Sequence, residues 1–166
     1  QKIVSKVENR FVNLKTVKPS ALACEYALKT DKYQRLVELI LSESKEVIRH
    51  RKGVLVVENH QGLIMANAGI DHSNVEQDSD NDWVLLLPEN PDKSAKALHN
   101  ELLYITGCKI GIIINDSIGR AWRNGTIGTA IGVAGLSSII DLRGRSDLFG
   151  NLLRVSEEAL SLIHIS

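Results

Sequence analysis

Two short apolar runs, Val54 to Val57 and Leu63 to Ala66, stand a few residues apart, and His60-Gln61-Gly62 between them reads as a hairpin turn in which Gly62 supplies a positive φ. Strands joined so closely pair antiparallel, because a parallel neighbour needs a crossover of a dozen or more residues. Further along, Trp83 to Leu87 reads as a buried strand ending at Pro88. Asp92 N-caps a helix on which Ala95, Leu98, Leu102 and Ile105 repeat, and Gly107 stops it. Gly111 to Ser117 and the glycine-punctuated Thr126 to Ala134 are two more strands. Upstream, Pro19 opens a helix with Ala21, Leu22, Cys24 and Ala27 as its apolar stripe. Asp31 caps a second one, in which Leu36, Val37, Leu39, Ile40 and Leu41 face inward and which continues towards Val47 and Ile48. Hairpins and helices without regular βαβ alternation predict an α+β fold with mixed or antiparallel sheets and flanking helices.

The ends are read from the same patterns. Lys2-Ile3-Val4-Ser5-Lys6 looks like a strand that delivers Lys6, Glu8 and Arg10 into a charged loop. Leu152 to Val155 looks like one more strand, and Ser156 to Leu160 like the first turns of a helix. A chain that starts and stops inside elements is expected to be a fragment, since a lone strand or helix start leaves its apolar face uncovered.

Twenty Lys plus Arg balance twenty Asp plus Glu, so there is no global field to favour nucleic acid or an anionic membrane, and any anion must be held by a local cluster. No apolar run approaches the roughly 20 residues that cross a bilayer, and no signal-peptide pattern is present, so a cytoplasmic protein is expected. Cys24 and Cys108 have neither disulfide-framework nor zinc spacing and read as small core residues. The five histidines form no zinc-hydrolase pattern. The acidic stretch from Val75 to Asp82 reads as a surface loop, without the glycine and terminal Glu of a calcium loop.

The chemistry concentrates in two segments. Gly111 to Gly125, GIIINDSIGRAWRNG, is a strand expected to end by presenting Asp116 and Ser117, followed by Arg120 and Arg123 among glycines. Ala66 to Asn74, ANAGIDHSN, presents Asp71 in the same manner. A carboxylate at the end of an apolar strand needs a cation or donors around it. Carboxylates and a hydroxyl are hard oxygen ligands suited to Mg²⁺ or Mn²⁺, ions that keep open positions for phosphate oxygens. Lys6, Arg120 and Arg123 supply phosphate-neutralising charge, and Gly119 and Gly125 let backbone N–H groups approach. The two segments are expected to meet at one divalent-metal phosphate site. An Asx turn or helix cap with a neighbouring Arg as partner remains the alternative for each Asp, and no Walker or kinase signature names a substrate.

These segments resemble the coenzyme F420:L-glutamate ligase family. The resemblance is carried by Ile3-Val4-Ser5-Lys6 with Glu8 and Arg10, Leu41-Ser42-Glu43-Ser44 with Arg49, Asn67-Ala68-Gly69-Ile70-Asp71 with Ser73-Asn74, and Leu86-Leu87-Pro88 with Pro91-Asp92 and Ser94-Ala95. It continues in Asp116-Ser117 with Gly119-Arg120, Trp122-Arg123 and Gly125, in Ala130 to Gly135, and in Asp141-Leu142-Arg143-Gly144-Arg145 with Asp147-Leu148 and Gly150. It implies an F420 ligase-like fold and a GTP-dependent ligase that joins L-glutamate to the F420 precursor through an acyl phosphate, acting as a homodimer. It implies Mn²⁺ or Mg²⁺ as cofactor, GTP as co-substrate and K⁺ as an optional monovalent cation. By position, Lys6 and Asn74 match GTP contacts, Asp71 and Asp116 match metal ligands, and Ser117 stands where a Thr or Ser helps hold a second metal. Arg120 and Arg123 receive no defined role, and no catalytic residue is assigned.

On this resemblance residues 1–160 are expected to be a fragment of the ligase domain, incomplete at both ends and inactive alone, with 161–166 a non-matching tail. Asn9 replaces the usual glycine after Glu8, and Asn115 stands where Thr is more usual. The competing readings are the ligase domain of a bifunctional ligase and flavin reductase, a metal-dependent nucleotide hydrolase, and a catalytically inactive nucleotide-binding module.

Overall fold

The computed structural model describes residues 1–72, 82–119, 124–137, 139–155 and 157–159. The chain divides into two compact units, Gln1–Pro88 and Glu89–Ser166. The elements are α-helices and short antiparallel sheets, an α+β architecture as the sequence predicts.

In the first unit α1 (Lys2–Val7), β1 (Phe11–Asn13), α2 (Ala21–Thr30) and α3 (Gln34–Ser42) precede the sheet formed by β2 (Ser44–Arg51), β3 (Val54–Asn59) and β4 (Ile64–Ala66). β5 (Trp83–Leu85) follows. The sheet order is β2-β3-β4, all antiparallel, and β1 pairs with β5, Val12 opposite Val84. Alternation on β3 buries Leu55 and Val57. These pack with Ala23 and Ala27 of α2 and Val37 and Ile40 of α3 into the main core, which also takes in Ala68. A second cluster joins Leu14, Leu39, Val84 and Leu86.

The predicted hairpin forms, with Gly62 at φ +83°. Its turn is organised by the buried Asn59, whose Oδ1 accepts from the N–H of Gln61 at 3.0 Å and of Leu63 at 2.9 Å. Gln61 Nε2 then donates to the Pro88 carbonyl at 2.7 Å, tying the turn to the chain leaving β5.

Several sequence expectations are corrected. Residues 2–6 are helical, not a strand. Ser5, one residue from the end of the apolar Ile3-Val4 pair, is fully buried and accepts from Gln1 Nε2 at 3.1 Å, while Ile3 is exposed; the period is that of a helix. Pro19 lies just before the cap of α2, and Ser20 is the cap, its Oγ accepting from Ala23 N at 3.2 Å. Asp31 closes α2 in the left-handed conformation and does not open α3. α3 stops at Ser42. There Ser42 Oγ and Ser44 Oγ donate to the Leu39 and Ile40 carbonyls, satisfying helix-end acceptors, and Val47 and Ile48 belong to β2.

The second unit contains α4 (Pro91–Thr106), β6 (Ile112–Gly119), β7 (Thr126–Ala134), β8 (Ile139–Asp141) and β9 (Glu157–Ala159). Asn90, not Asp92, caps α4, accepting from Lys93 N at 2.9 Å with Pro91 at the first helical position. Asp92 Oδ1 instead accepts from Val133 N at 2.9 Å, pinning the start of α4 to β7. A Cβ on Gly132 would lie 2.4 Å from the Pro91 backbone, so glycine is what allows this approach. His99 Nδ1 donates to the Ile110 carbonyl at 2.6 Å.

Residues 157–159 form a strand paired with β8 where a helix was expected. Of residues 152–155 only Leu152 makes a bridge, to Ser146, so no strand spans them. Cys24 is half-buried, and Cys108 is exposed on the link after the Gly107 cap, which corrects its placement in the core. The acidic loop at 75–81, Arg120, Trp122, Arg123 and the tail at 161–166 lie outside the described residues. Among the described residues no helix is long and apolar enough to cross a membrane.

Candidate functional site

Asp71 is set by the turn before it. β4 ends at Ala66, and Asn67, Ala68 and Gly69 then all take positive φ, +52°, +54° and +70°. Asn tolerates this region, Ala adopts it only under strain, and a Cβ on Gly69 would lie 2.8 Å from Leu87 Cδ1. The turn is held by Asn67 Oδ1, which accepts from Leu55 N at 3.2 Å, and by burial of Ala68 in the core. It delivers Asp71 into a two-way backbone pair with Leu85, both N–H···O distances 2.9 Å. The Asp71 side chain is only 14% exposed, and Lys2 Nζ lies 2.6 Å from its Oδ2.

Lys6 stands on α1, exposed, one turn beyond Lys2. Asn74 lies outside the described residues. Arg10 and Glu43, in segments that carry the resemblance, have structural work in the first unit. The Arg10 guanidinium reaches Glu43 Oε2 at 3.3 Å and donates from Nε to the Leu87 carbonyl at 3.0 Å.

In the second unit Asp116 and Ser117 sit within β6, opposite Thr129 and Gly128 of β7. The expectation that the strand ends at this carboxylate is corrected: the ladder runs on to Gly119 opposite Thr126. Consecutive strand residues project to opposite faces, so Asp116 shares a face with Ile114, Ile118 and Thr129, while Ser117 shares the other with Asn115. The two side chains are therefore not placed to grip one ion together. Asn115 Oδ1 and Thr129 Oγ1 are buried and, among the described residues, have no hydrogen-bond partner. Thr129 Oγ1 lies across from the Asp116 carboxylate on the same face, and an oxygen lacking a partner there suits a hard cation. Among the described residues no three His, Cys, Asp or Glu side chains gather to hold a metal, so any ion draws on hydroxyl, amide or substrate oxygens as well.

The sequence matches the family model of F420-0:Gamma-glutamyl ligase over residues 1–162. The chain belongs to the F420-0:gamma-glutamyl ligase family. It is similar to the coenzyme F420:L-glutamate ligases of Methanothermobacter thermautotrophicus, at 43% identity, and of Methanocaldococcus jannaschii, at 38%, each over 159 residues, or 96% of this chain. That of Archaeoglobus fulgidus is 40% identical over the same length. The chain spans 62% of the length of these relatives.

For this F420-0:gamma-glutamyl ligase family member, the structure puts the expected lysine Lys6 and the expected ligand Asp71 in the first unit and Asp116 with Ser117 in the second. The residue that sequence reasoning missed is Lys2. The signal was available: Lys2 and Lys6 are four apart, so they share a helix face, but only once the segment is read with helical period.

Proposed function

We propose that this chain belongs to a GTP-dependent ligase that joins L-glutamate to the F420 precursor in coenzyme F420 biosynthesis, a cytoplasmic homodimer at full length. The observation that carries the reading is the family match along residues 1–162, within which Asp71 stands as a largely buried carboxylate already in contact with a positive charge.

A carboxylate resists attack by an amine because its oxygen leaves poorly, and activation solves this. The terminal carboxylate of the precursor attacks the γ-phosphorus of GTP, and GDP departs. The amine of glutamate then attacks the carbon of the acyl phosphate, inorganic phosphate leaves, and the nitrogen loses a proton to give the amide. Lys6 and Asn74 contact the nucleotide, Lys6 offsetting phosphate charge. Asp71, Asp116 and Ser117 are hard oxygen donors that would hold Mn²⁺ or Mg²⁺, with K⁺ as an optional further cation. Such an ion, when bound, withdraws charge from phosphate oxygens.

The test is to supply a protein carrying this chain at its relatives' full length with GTP, Mn²⁺, L-glutamate and the F420 precursor, and to follow product mass. A gain of one glutamyl unit with stoichiometric GDP is expected. GDP release that ignores glutamate, with no mass gain, would identify a nucleotide hydrolase and overturn the ligase.

A further inference from the structure

The cation beside Asp71 is Lys2, a residue to which the resemblance gives no role. Both partners are held by the framework. Ser5, fully buried, and its bond from Gln1 fix α1, which lies against β5. Asp71 is paired through its backbone with Leu85, the last residue of that strand. The ammonium therefore meets the carboxylate at 2.6 Å as a consequence of where the two elements sit. Lys6, the expected phosphate contact, makes no ion pair among the described residues.

The exposures of the pair are unequal. The Lys2 side chain is 45% exposed and that of Asp71 14%. A lysine ammonium is a compact, strongly hydrated charge on a flexible stem, so leaving for water costs it little, whereas a carboxylate left alone at this burial is poorly solvated. A divalent ion bound to an oxygen of Asp71 would sit about 2.1 Å from it. An ammonium on the same oxygen would then press one positive charge against two, and the two cannot share it.

We propose that Lys2 is an internal counter-ion that occupies the cation position on Asp71 in the metal-free chain, must be displaced when a divalent ion binds, and so lowers the site's metal affinity. The inference rests on the reading of Asp71 as a metal ligand. It adds a residue that acts against binding, where each role implied by the resemblance acts for it.

The experiment is Mn²⁺ titration of a protein carrying this chain at its relatives' full length, followed by electron paramagnetic resonance of the free ion, on wild type, Lys2→Met, Lys2→Arg and Asp71→Asn. Lys2→Met, which keeps the stem and removes the charge, is expected to bind Mn²⁺ about tenfold more tightly. Lys2→Arg keeps a competing cation and is expected to bind no tighter than wild type. Metal-free Lys2→Met should also melt slightly lower than wild type, because Asp71 has lost the positive charge at 2.6 Å. A purely structural role would lower both melting temperature and metal affinity. Should Lys2→Met fail to fold, Lys2→Gln makes the same comparison with a neutral polar group. Equal or weaker Mn²⁺ binding by the neutral variant, with Asp71→Asn impaired, overturns the competition and leaves Asp71 a ligand. Unchanged binding by Asp71→Asn, or no uptake by wild type, overturns the metal reading of Asp71 and the competition with it.

Discussion

At residue scale the turn Asn67-Ala68-Gly69 decides where Asp71 goes, and it does so with three successive left-handed residues. Gly69 has least latitude: a methyl group there would meet Leu87 at 2.8 Å and would hold φ at +70° against its preference. Gly69→Ala should lower stability by about 2 kcal/mol, read as a lower midpoint in urea. Asp71→Asn at full length should cut the proposed ligase turnover by about 100-fold or more, measured as glutamylated product, because the amide keeps the shape and loses the charge. The sequence made Asp71 visible through an apolar run ending in a carboxylate. It hid Lys2, since the β-branched pair Ile3-Val4 between polar residues passes for a short strand. The helix shows in the Ser5 N–H bond to the Gln1 carbonyl at 3.0 Å and in the complete burial of Ser5 with Ile3 exposed.

Among elements, the strand runs and the hairpin were legible because period-two burial and a turn glycine are local properties. Boundaries were not, because they depend on which side chain reaches an unpaired backbone group. Asp31, Asn90 and Asp92 are all reasonable caps by type, and packing chose among them: Asn90 caps α4, leaving Asp92 for Val133 N. Gly132→Ala would push that helix start from β7 and should cost about 3 kcal/mol, seen as a lower thermal midpoint. The turn after β8 offers a pH test. Backbone N–H groups of Asn151 and Phe149 donate to Asp147 Oδ1, each at 2.8 Å, and the Asn151 contact above all holds the Asp147 carboxyl below its usual range. A lowered folded value means the stabilisation is present above the ordinary carboxylate range and is lost as pH falls through the lowered value. Amide exchange at Phe149 and Asn151 should accelerate over that acidic interval, and Asp147→Asn should remove the pH dependence.

For the whole molecule, α+β class and family were both legible, the class from the absence of βαβ alternation and the family from motifs spread over nearly all of the chain. The division at Pro88 was not, because no linker composition marks it. The first unit closes its main core around Leu55, Val57, Val37 and Ile40, so hydrogen exchange in that unit should be slowest at those amides. Cys108, displaced from the expected core to an exposed link, governs how the protein must be handled. Two copies left in air can join through that thiol, and on a sizing column the covalent pair would pass for the proposed homodimer. Running the column with and without dithiothreitol separates the two: a dimer that survives reduction has an interface, and one that vanishes had only a bond between sulfurs.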